Sequence, residues 1–291
     1  EPLRHYAEVH LRMEPLSPGS GLQFDSECPV NLLARNWQRL VLTHLQERVF
    51  YGVLTKSVIT DMRIVLTGGR AHEKHTEGGD FRKASIRAVR QGLMCAENIL
   101  LEPIWNFSLD LPRESLGLAL TDLEAMQAKP GVPEFAEDRV FLAGTCPVST
   151  WGDYALRVRA YTGGRGSATV SPGGYAPCHD AAEVIRARAY DPAADLRNPA
   201  SSVFCSHGAG IVIPWYEVRS RMHLETGWTP DEGEELPYPG ITGFRYGPGE
   251  SAEDIAAEPP SPPTGKEIRE REAAQKKKLE PYKQKEKEDY N

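Results

Sequence analysis

The chain has 291 residues, of which 40% are hydrophobic and 26% are charged, as in a globular protein with room for two domains. No apolar run approaches the roughly eighteen residues of a transmembrane helix, which excludes a helical membrane protein. The net charge of −7 does not exclude a nucleic-acid partner, because residues 231–258 carry eight acidic residues against one arginine and account for all of it. Five scattered cysteines favour free thiols in a reducing cytoplasm. The first residue is Glu1 rather than methionine, so we expect a piece of a longer protein.

The first hundred residues predict two strands, a helix, a third strand and a second helix. Residues 6–13 have strand character, 15–21 form a turn rich in proline and glycine, and 22–24 resume the strand pattern. Residues 32–49 show helical spacing of apolar side chains, and residues 58–66 are strand-like.

A polar segment, residues 68–82, follows this third predicted strand and is framed by glycine pairs, which we interpret as turn formers. Its cations, and a basic face on the helix that follows, favour contact with RNA phosphates over the alternative of a solvated connector. The start of that helix also favours anions. The predicted RNA-binding residues here are Arg70, His72, Glu73, Lys74, His75, Lys83, Arg87 and Arg90.

The second part of the chain predicts a strand (105–110), a helix (114–126), a hairpin (129–147), a helix (150–161) and a strand (167–170). This order is typical of a ferredoxin-like sandwich. The predicted fold class is α+β, with two small α/β sandwich domains and a loop-rich C-terminal extension. We expect the domains at 1–103 and 104–175, the extension at 176–226, and an acidic Pro/Gly linker with a charged tail at 227–291.

Several segments resemble elongation factor G and its relatives over about Tyr6 to Tyr175. Residues 6–25, with Glu-Pro-Leu-Ser-Pro-Gly-Ser-Gly at 14–21, resemble the opening of the fourth domain. Leu-Leu-Glu-Pro-Ile at 100–104 resembles the hinge to the fifth domain, and Tyr-Thr-Gly-Gly-Arg-Gly at 161–166 its glycine-arginine motif. Gly-Asp-Phe-Arg at 79–82 is similar to the tetracycline-resistance ribosomal protection proteins.

The resemblance implies a ribosome-binding fragment of a translational GTPase. In that family the fourth domain reaches the decoding region of the small subunit. Residues 68–82 correspond to a tip loop that touches ribosomal RNA there, with His72 at the tip histidine. The fifth domain meets large-subunit ribosomal RNA, for which Arg157 and Arg165 are the candidates.

The task served by this contact stays open at the level of sequence. Ribosomal protection proteins carry Ser-Pro-Val in the tip loop, whereas this chain has Glu73, Lys74 and His75 there. Tetracycline protection, translocation and rescue of stalled ribosomes are the alternatives. The sequence has no phosphate-binding P-loop motif, so we expect a non-catalytic, cofactor-free monomer, with GTP and Mg²⁺ held by a domain outside this sequence.

A different class of function is a zinc-binding interaction or RNA-binding module without a GTPase cycle. Cys178, His179, Cys205 and His207 supply thiolate and imidazole ligands, although their spacing differs from that of common zinc motifs.

Overall fold

The computed structural model describes residues 5–206 and 209–224, with the side chains of residues 205 and 206 left aside. They form two α/β units in succession, followed by an extension. Within these ranges, no helix combines the length and the apolar character that a bilayer crossing requires. The predicted linker and charged tail lie outside the described residues.

The first unit is a three-stranded sheet covered by two helices. Its elements are β1 (Ala7–Pro15), β2 (Leu22–Ser26), α1 (Arg35–Gln46), β3 (Met62–Ala71) and α2 (Gly78–Cys95). The central strand, β3, pairs antiparallel with β1 and parallel with β2.

Apolar side chains spaced by one helical turn hold α1 and α2 together. Val41 and Leu45 of α1 are fully buried, as are Phe81 and Val89 of α2. The rings of Trp37 and Phe81 lie 5.1 Å apart between the two helices. Burying each of these large side chains contributes about 1.5–3 kcal/mol, so packing rather than helix propensity fixes both helices.

The second unit is an antiparallel sheet with helices on one face. Its elements are β4 (Leu101–Pro112), α3 (Leu116–Ala125), β5 (Lys129–Pro130), β6 (Glu134–Ala136), β7 (Arg139–Pro147), α4 (Val148–Trp151), α5 (Tyr154–Tyr161) and β8 (Ser167–Pro177). The strand order is β5-β7-β4-β8, with β6 also pairing with β7. This order confirms the predicted ferredoxin-like arrangement, and the α+β class is confirmed with it. Strands β4 and β8 are longer than the sequence pattern indicated.

The core of the second unit follows from strict alternation along β4. Phe107, Leu109 and Leu111 are buried on one face of the sheet, where they meet Leu123 of α3 and Val158 of α5. Since a strand turns successive side chains to opposite faces, this alternation alone fixes which face the helices cover.

The extension packs back onto the first unit. It contains α6 (Ala181–Arg188), the hairpin of β9 (Ser202–Ser206) and β10 (Ala209–Ile213), and α7 (Val218–Arg221). Lys56 pairs with Asp195 at 2.9 Å, and Arg48 donates to the side-chain oxygen of Asn198 at 2.9 Å. The amide of Gln91 donates to the carbonyl oxygen of Trp215. The extension is therefore joined to the first unit by polar contacts along its length.

Candidate functional site

The turn between β3 and α2 is the tip of the first unit, and it is shorter than expected. The predicted loop at 68–82 shrinks to residues 72–77, because residues 68–71 complete β3 and residues 78–82 open α2. We call residues 72–77 the tip loop.

The first glycine pair permits close strand contact rather than a turn, which corrects our interpretation of it. A Cβ atom on Gly69 would lie 2.8 Å from the carbonyl oxygen of Glu8 and 3.0 Å from Leu33. Neither Gly68 nor Gly69 has a positive φ. Only glycine lets β1 approach β3 this closely at Gly69.

Internal contacts organise the tip loop. The rings of His72 and His75 stack with centroids 4.3 Å apart and planes 7° apart. The N–H of His72 donates to Thr76 Oγ1 at 2.6 Å, and that hydroxyl donates to the carbonyl oxygen of Tyr6 at 2.6 Å. The N–H of Lys74 donates to His72 Nδ1 at 3.2 Å, so the proton of a neutral His72 ring lies on Nε2. The loop is thus tied to the start of β1 and shaped before any ligand arrives.

A carboxylate already occupies the start of α2. Asp80 accepts a hydrogen bond from the N–H of Glu77 at 2.9 Å and lies 3.1 Å from His5 Nδ1. This negative charge offsets the positive end of the helix dipole. The expected attraction of RNA phosphate to the helix start is therefore weakened, and the cations must come from side chains.

The predicted cations in and beside the tip loop reach solvent. Arg70 at the end of β3 is exposed, as are His72, Glu73 and Lys74, while His75 is partly buried under its stacking partner. Guanidinium and ammonium groups bind phosphates, and an imidazole edge or face can meet a phosphate or an unstacked base.

A buried carboxylate network beneath the tip loop escaped the sequence analysis. Glu8 accepts hydrogen bonds from the Tyr6 hydroxyl and a His10 ring nitrogen, each at 2.8 Å, and from the backbone N–H groups of His223 and Leu224. Burial raises the pKa of Glu8, but the hydrogen bonds from His10, Leu224, Tyr6 and His223 outweigh it and hold the pKa at about 2. The alternation Tyr6, Glu8, His10 puts all three on one face of β1, a signal available from the sequence. Nothing in the sequence pattern points to residues 223 and 224.

The predicted basic face of α2 is only partly available. Lys83 is exposed and Arg87 is half-buried, where burial lowers the pKa of its guanidinium. Arg90 is 3% exposed and donates to the carbonyl oxygens of Tyr51 and Gly52 at 2.8 and 3.1 Å. Assigning Arg90 to RNA binding was wrong, because the side chain is buried and its two terminal nitrogens donate inside the protein.

The two arginines predicted on the second unit both face solvent in ion pairs. Arg157 on α5 is 55% exposed and lies 2.7 Å from Asp122, while Arg165 is 61% exposed and lies 2.7 Å from Glu114. Arg165 follows Gly163 and Gly164, whose positive φ values shape its loop. Glu114 is 67% exposed, and an exposed pair of this kind contributes about 0–1 kcal/mol, so a phosphate can compete for Arg165. Asp122 is only 10% exposed, so removing Arg157 from it would leave a buried charge unpaired.

The structure describes the side chains of only two of the four predicted zinc ligands, Cys178 and His179. Cys178 and His179 lie beside Glu102 and Asp180, two residues that the sequence analysis did not select. His207 and the side chain of Cys205 lie outside what the structure describes.

Comparison with known proteins matches both units to one family. Residues 1–97 match the family described as elongation factor G, domain IV, and residues 99–185 match the elongation factor G C-terminus.

Three curated relatives are similar over more than half of the chain. The tetracycline resistance protein TetP of Clostridium perfringens is 30% identical over 64% of this chain and 29% of its own length. An elongation factor G-like protein of Thermotoga maritima is 27% identical over 57% of this chain and 24% of its own length. Elongation factor G 2 of Streptomyces coelicolor is 29% identical over 59% of this chain and 26% of its own length. The chain therefore spans about a quarter of the length of the curated relatives it matches.

A solved structure has the same fold. The crystal structure of ttk003000868 from Thermus thermophilus superposes with a TM-score of 0.55 at 24% identity, covering 62% of this chain and 27% of that one.

Proposed function

Because the chain belongs to the elongation factor G family through its domain IV and its C-terminal domain, we propose that it is the ribosome-binding C-terminal part of a translational GTPase. The observation that carries the proposal is the preshaped tip loop, where Lys74 and the adjoining Arg70 at the end of β3 present exposed cations. Its ligand is ribosomal RNA in the decoding region of the small subunit.

Each exposed group of the tip has a distinct role in this proposal. Arg70 and Lys74 bind phosphates, and the stacked pair of His72 and His75 offers a flat surface to an unstacked base. Glu73 accepts a hydrogen bond from a base amino group or a ribose hydroxyl, whereas Glu77, the other exposed acid of the tip loop, caps α2. Lys83, one turn into α2, extends the cationic edge, and the half-buried Arg87 contributes only long-range charge.

The C-terminal domain supplies a second contact. Arg165 exchanges its exposed partner Glu114 for a phosphate of large-subunit ribosomal RNA, and Arg157 meets a second phosphate while it stays paired with the largely buried Asp122. Two contacts on different domains fix the orientation of the chain on the ribosome and not merely its affinity.

The proposed mechanism is a movement of the two domains on the ribosome, with no chemical step in this chain. GTP and Mg²⁺ belong to a part of the complete protein outside this chain, and GTP hydrolysis there positions the two domains. The chain itself needs no cofactor for this task. The protein works in the cytoplasm as a monomer.

The test uses the complete protein with Arg70→Gln and Lys74→Gln combined. We expect ribosome binding at physiological salt to weaken at least tenfold. The slope of log affinity against log salt should fall by about 1.5, since each phosphate contact contributes about 0.7–0.9. The control is Arg186→Gln, which removes an exposed charge from α6 and should leave both quantities unchanged. Unchanged binding and unchanged ribosome-stimulated GTP turnover in the double variant would refute the role of the tip loop.

Two further assays separate the tasks that the ribosome contact can serve. Tetracycline susceptibility of cells with and without the intact gene tests protection from the drug, which the likeness to TetP favours. A translocation assay tests the elongation role, which the likeness to the other two relatives favours.

A further inference from the structure

Four metal-binding side chains converge where the C-terminal domain begins and ends. Glu102 lies on β4, one residue after the strand begins, while Cys178, His179 and Asp180 lie between the end of β8 and the start of α6. One ligand atom from each of the four falls within 4.8 Å of the others. We call these residues the junction cluster.

The junction cluster contains two hydrogen-bonded pairs, His179 with Glu102 and Cys178 with Asp180. His179 Nδ1 lies 2.8 and 3.0 Å from the two carboxylate oxygens of Glu102. The Cys178 thiol donates to Asp180 Oδ1 at 3.1 Å. Glu102 is 9% exposed at its side chain and also accepts the N–H of His179 at 2.8 Å, so its position is fixed by the backbone of the same segment.

We propose that the junction cluster is a structural Zn²⁺ site with Glu102, Cys178, His179 and Asp180 as its four ligands. One thiolate, one imidazole and two carboxylates suit zinc, whereas Mg²⁺ and Ca²⁺ prefer oxygen ligands alone. Zn–N and Zn–O bonds of about 2.1 Å at the tetrahedral angle place ligand atoms about 3.4 Å apart. The two hydrogen-bonded pairs therefore open by roughly half an ångström, and the wider separations, which are at most 4.8 Å, close by up to about 1.4 Å.

Metal binding replaces the two shared protons of the junction cluster. The Cys178 thiol loses its proton to solvent as the sulfur binds, and the imidazole binds through Nδ1 while its proton resides on Nε2. Burial and the hydrogen bond to Asp180 raise the pKa of Cys178 to about 11, so the metal-free protein keeps the thiol protonated. Zinc affinity therefore rises with pH.

A metal bound at the junction cluster would hold the two ends of the C-terminal domain together. Leu101 and Pro177 are the terminal pair of the β4–β8 ladder, and the N–H of Cys178 donates to the carbonyl oxygen of Leu100 at 2.9 Å. A metal bound immediately beyond this pair closes the ladder and fixes the start of α6. The proposal requires no ribosome and stands apart from the proposed function.

Untagged protein of the full chain tests the proposal by Co²⁺ binding, followed by displacement with Zn²⁺. We expect one equivalent of Co²⁺, a sulfur-to-cobalt charge-transfer band, and d–d bands of tetrahedral intensity. Cys178→Ser should abolish the charge-transfer band, and Glu102→Gln or Asp180→Asn should weaken binding at least tenfold. Cys95→Ser removes an exposed thiol elsewhere and serves as the matched control, with an unchanged spectrum expected.

Three results would overturn the proposal, and the first needs no variant. They are a cobalt spectrum of the unaltered chain without charge transfer, a charge-transfer band that survives Cys178→Ser, and a band abolished by Cys205→Ser. Thermal unfolding gives a second measurement: Zn²⁺ should raise the melting temperature of the unaltered chain and leave that of His179→Gln unchanged. An equal shift in both proteins would likewise contradict the site.

Discussion

The guanidinium of Arg90 donates a hydrogen bond to the hydroxyl of Tyr190, a residue one hundred positions further along the chain. That hydroxyl in turn donates to Asp195 at 2.8 Å. Burial and the hydrogen bond to Asp195 raise the pKa of Tyr190 to about 12, so the phenol keeps its proton at every physiological pH. Arg90 therefore joins α2 of domain IV to the extension through the Tyr190 hydroxyl, which stays protonated and donates onward to Asp195.

The first prediction concerns this link. Arg90→Met should lower the free energy of unfolding by about 2–4 kcal/mol, because it leaves two partly buried carbonyl oxygens and Tyr190 without their donor. Lys83→Met, on the same helix but exposed, should change it by less than about 0.5 kcal/mol. Urea unfolding of the two variants measures the difference. Equal losses would show that Arg90 is not structural.

The second prediction concerns acid stability. The pKa of Glu8 is held at about 2, below the ordinary 4.5, so its contribution is complete above about pH 4.5 and is lost as the pH falls through about 2. Glu8→Gln should therefore cost up to about 3 kcal/mol near neutral pH, and the cost should shrink steadily below about pH 5.

Urea unfolding across this pH range checks the prediction for Glu8. Glu124→Gln, an exposed acid on α3, should alter stability by less than about 0.5 kcal/mol throughout. A constant difference between Glu8→Gln and the unaltered chain at all pH values would contradict the ionised network.

The third prediction compares two glycines around the tip loop. Gly69→Ala should destabilise the protein by about 1–3 kcal/mol, because the added Cβ meets the backbone of β1. Gly79→Ala should be neutral or stabilise by up to about 1 kcal/mol, since it lies in the first turn of α2 with nothing within 4 Å of the added atom. Thermal unfolding distinguishes the two variants, and equal melting temperatures would contradict the packing role of Gly69.

The fourth prediction separates Arg165 from its ion-pair partner. In the complete protein, Arg165→Gln should weaken ribosome binding and lower the salt slope by about 0.7–0.9. Glu114→Gln frees the same guanidinium and should leave binding equal or tighter, because it removes the carboxylate that competes with phosphate for Arg165. Weaker binding in both variants would mean that the pair itself, and not a phosphate contact, matters.

The sequence predicts the C-terminal domain well because its information is local. Alternation along residues 105–110 and the helical spacing on either side of the hairpin fix the strand order without reference to distant residues. The strand ends were less well predicted, because β8 continues to Pro177 through exposed residues with no apolar alternation. Backbone pairing with β4 extends the strand there.

Around the tip loop the sequence was less reliable, for two physical reasons. Gly68 and Gly69 favour turns when considered alone, and only the proximity of β1 shows that they are strand residues under steric constraint. The spacing of Lys83, Arg87 and Arg90 is typical of a solvated face, yet the third is buried. It donates to two carbonyl oxygens at residues 51 and 52 and to Tyr190 of the extension. Both errors come from contacts that no window of neighbouring residues contains.

The junction cluster shows the same limit. The adjacent Cys178 and His179 could be selected from the sequence, but Glu102 becomes a partner only because β4 and β8 pair at their ends. In the sequence, Glu102 lies within residues 100–104, which resemble an interdomain hinge, and nothing in that segment predicts a metal ligand.

The terminal pairing of Leu101 with Pro177 makes the C-terminal domain a self-contained insert in the path of the chain. The polypeptide enters and leaves it at neighbouring points, a strand spacing of about 5 Å apart. A short reverse turn from residue 100 to residue 178 would therefore bypass the whole domain while keeping domain IV connected to the extension that packs on it. The C-terminal domain could therefore be removed or replaced without changing the path of the chain in domain IV or in the extension.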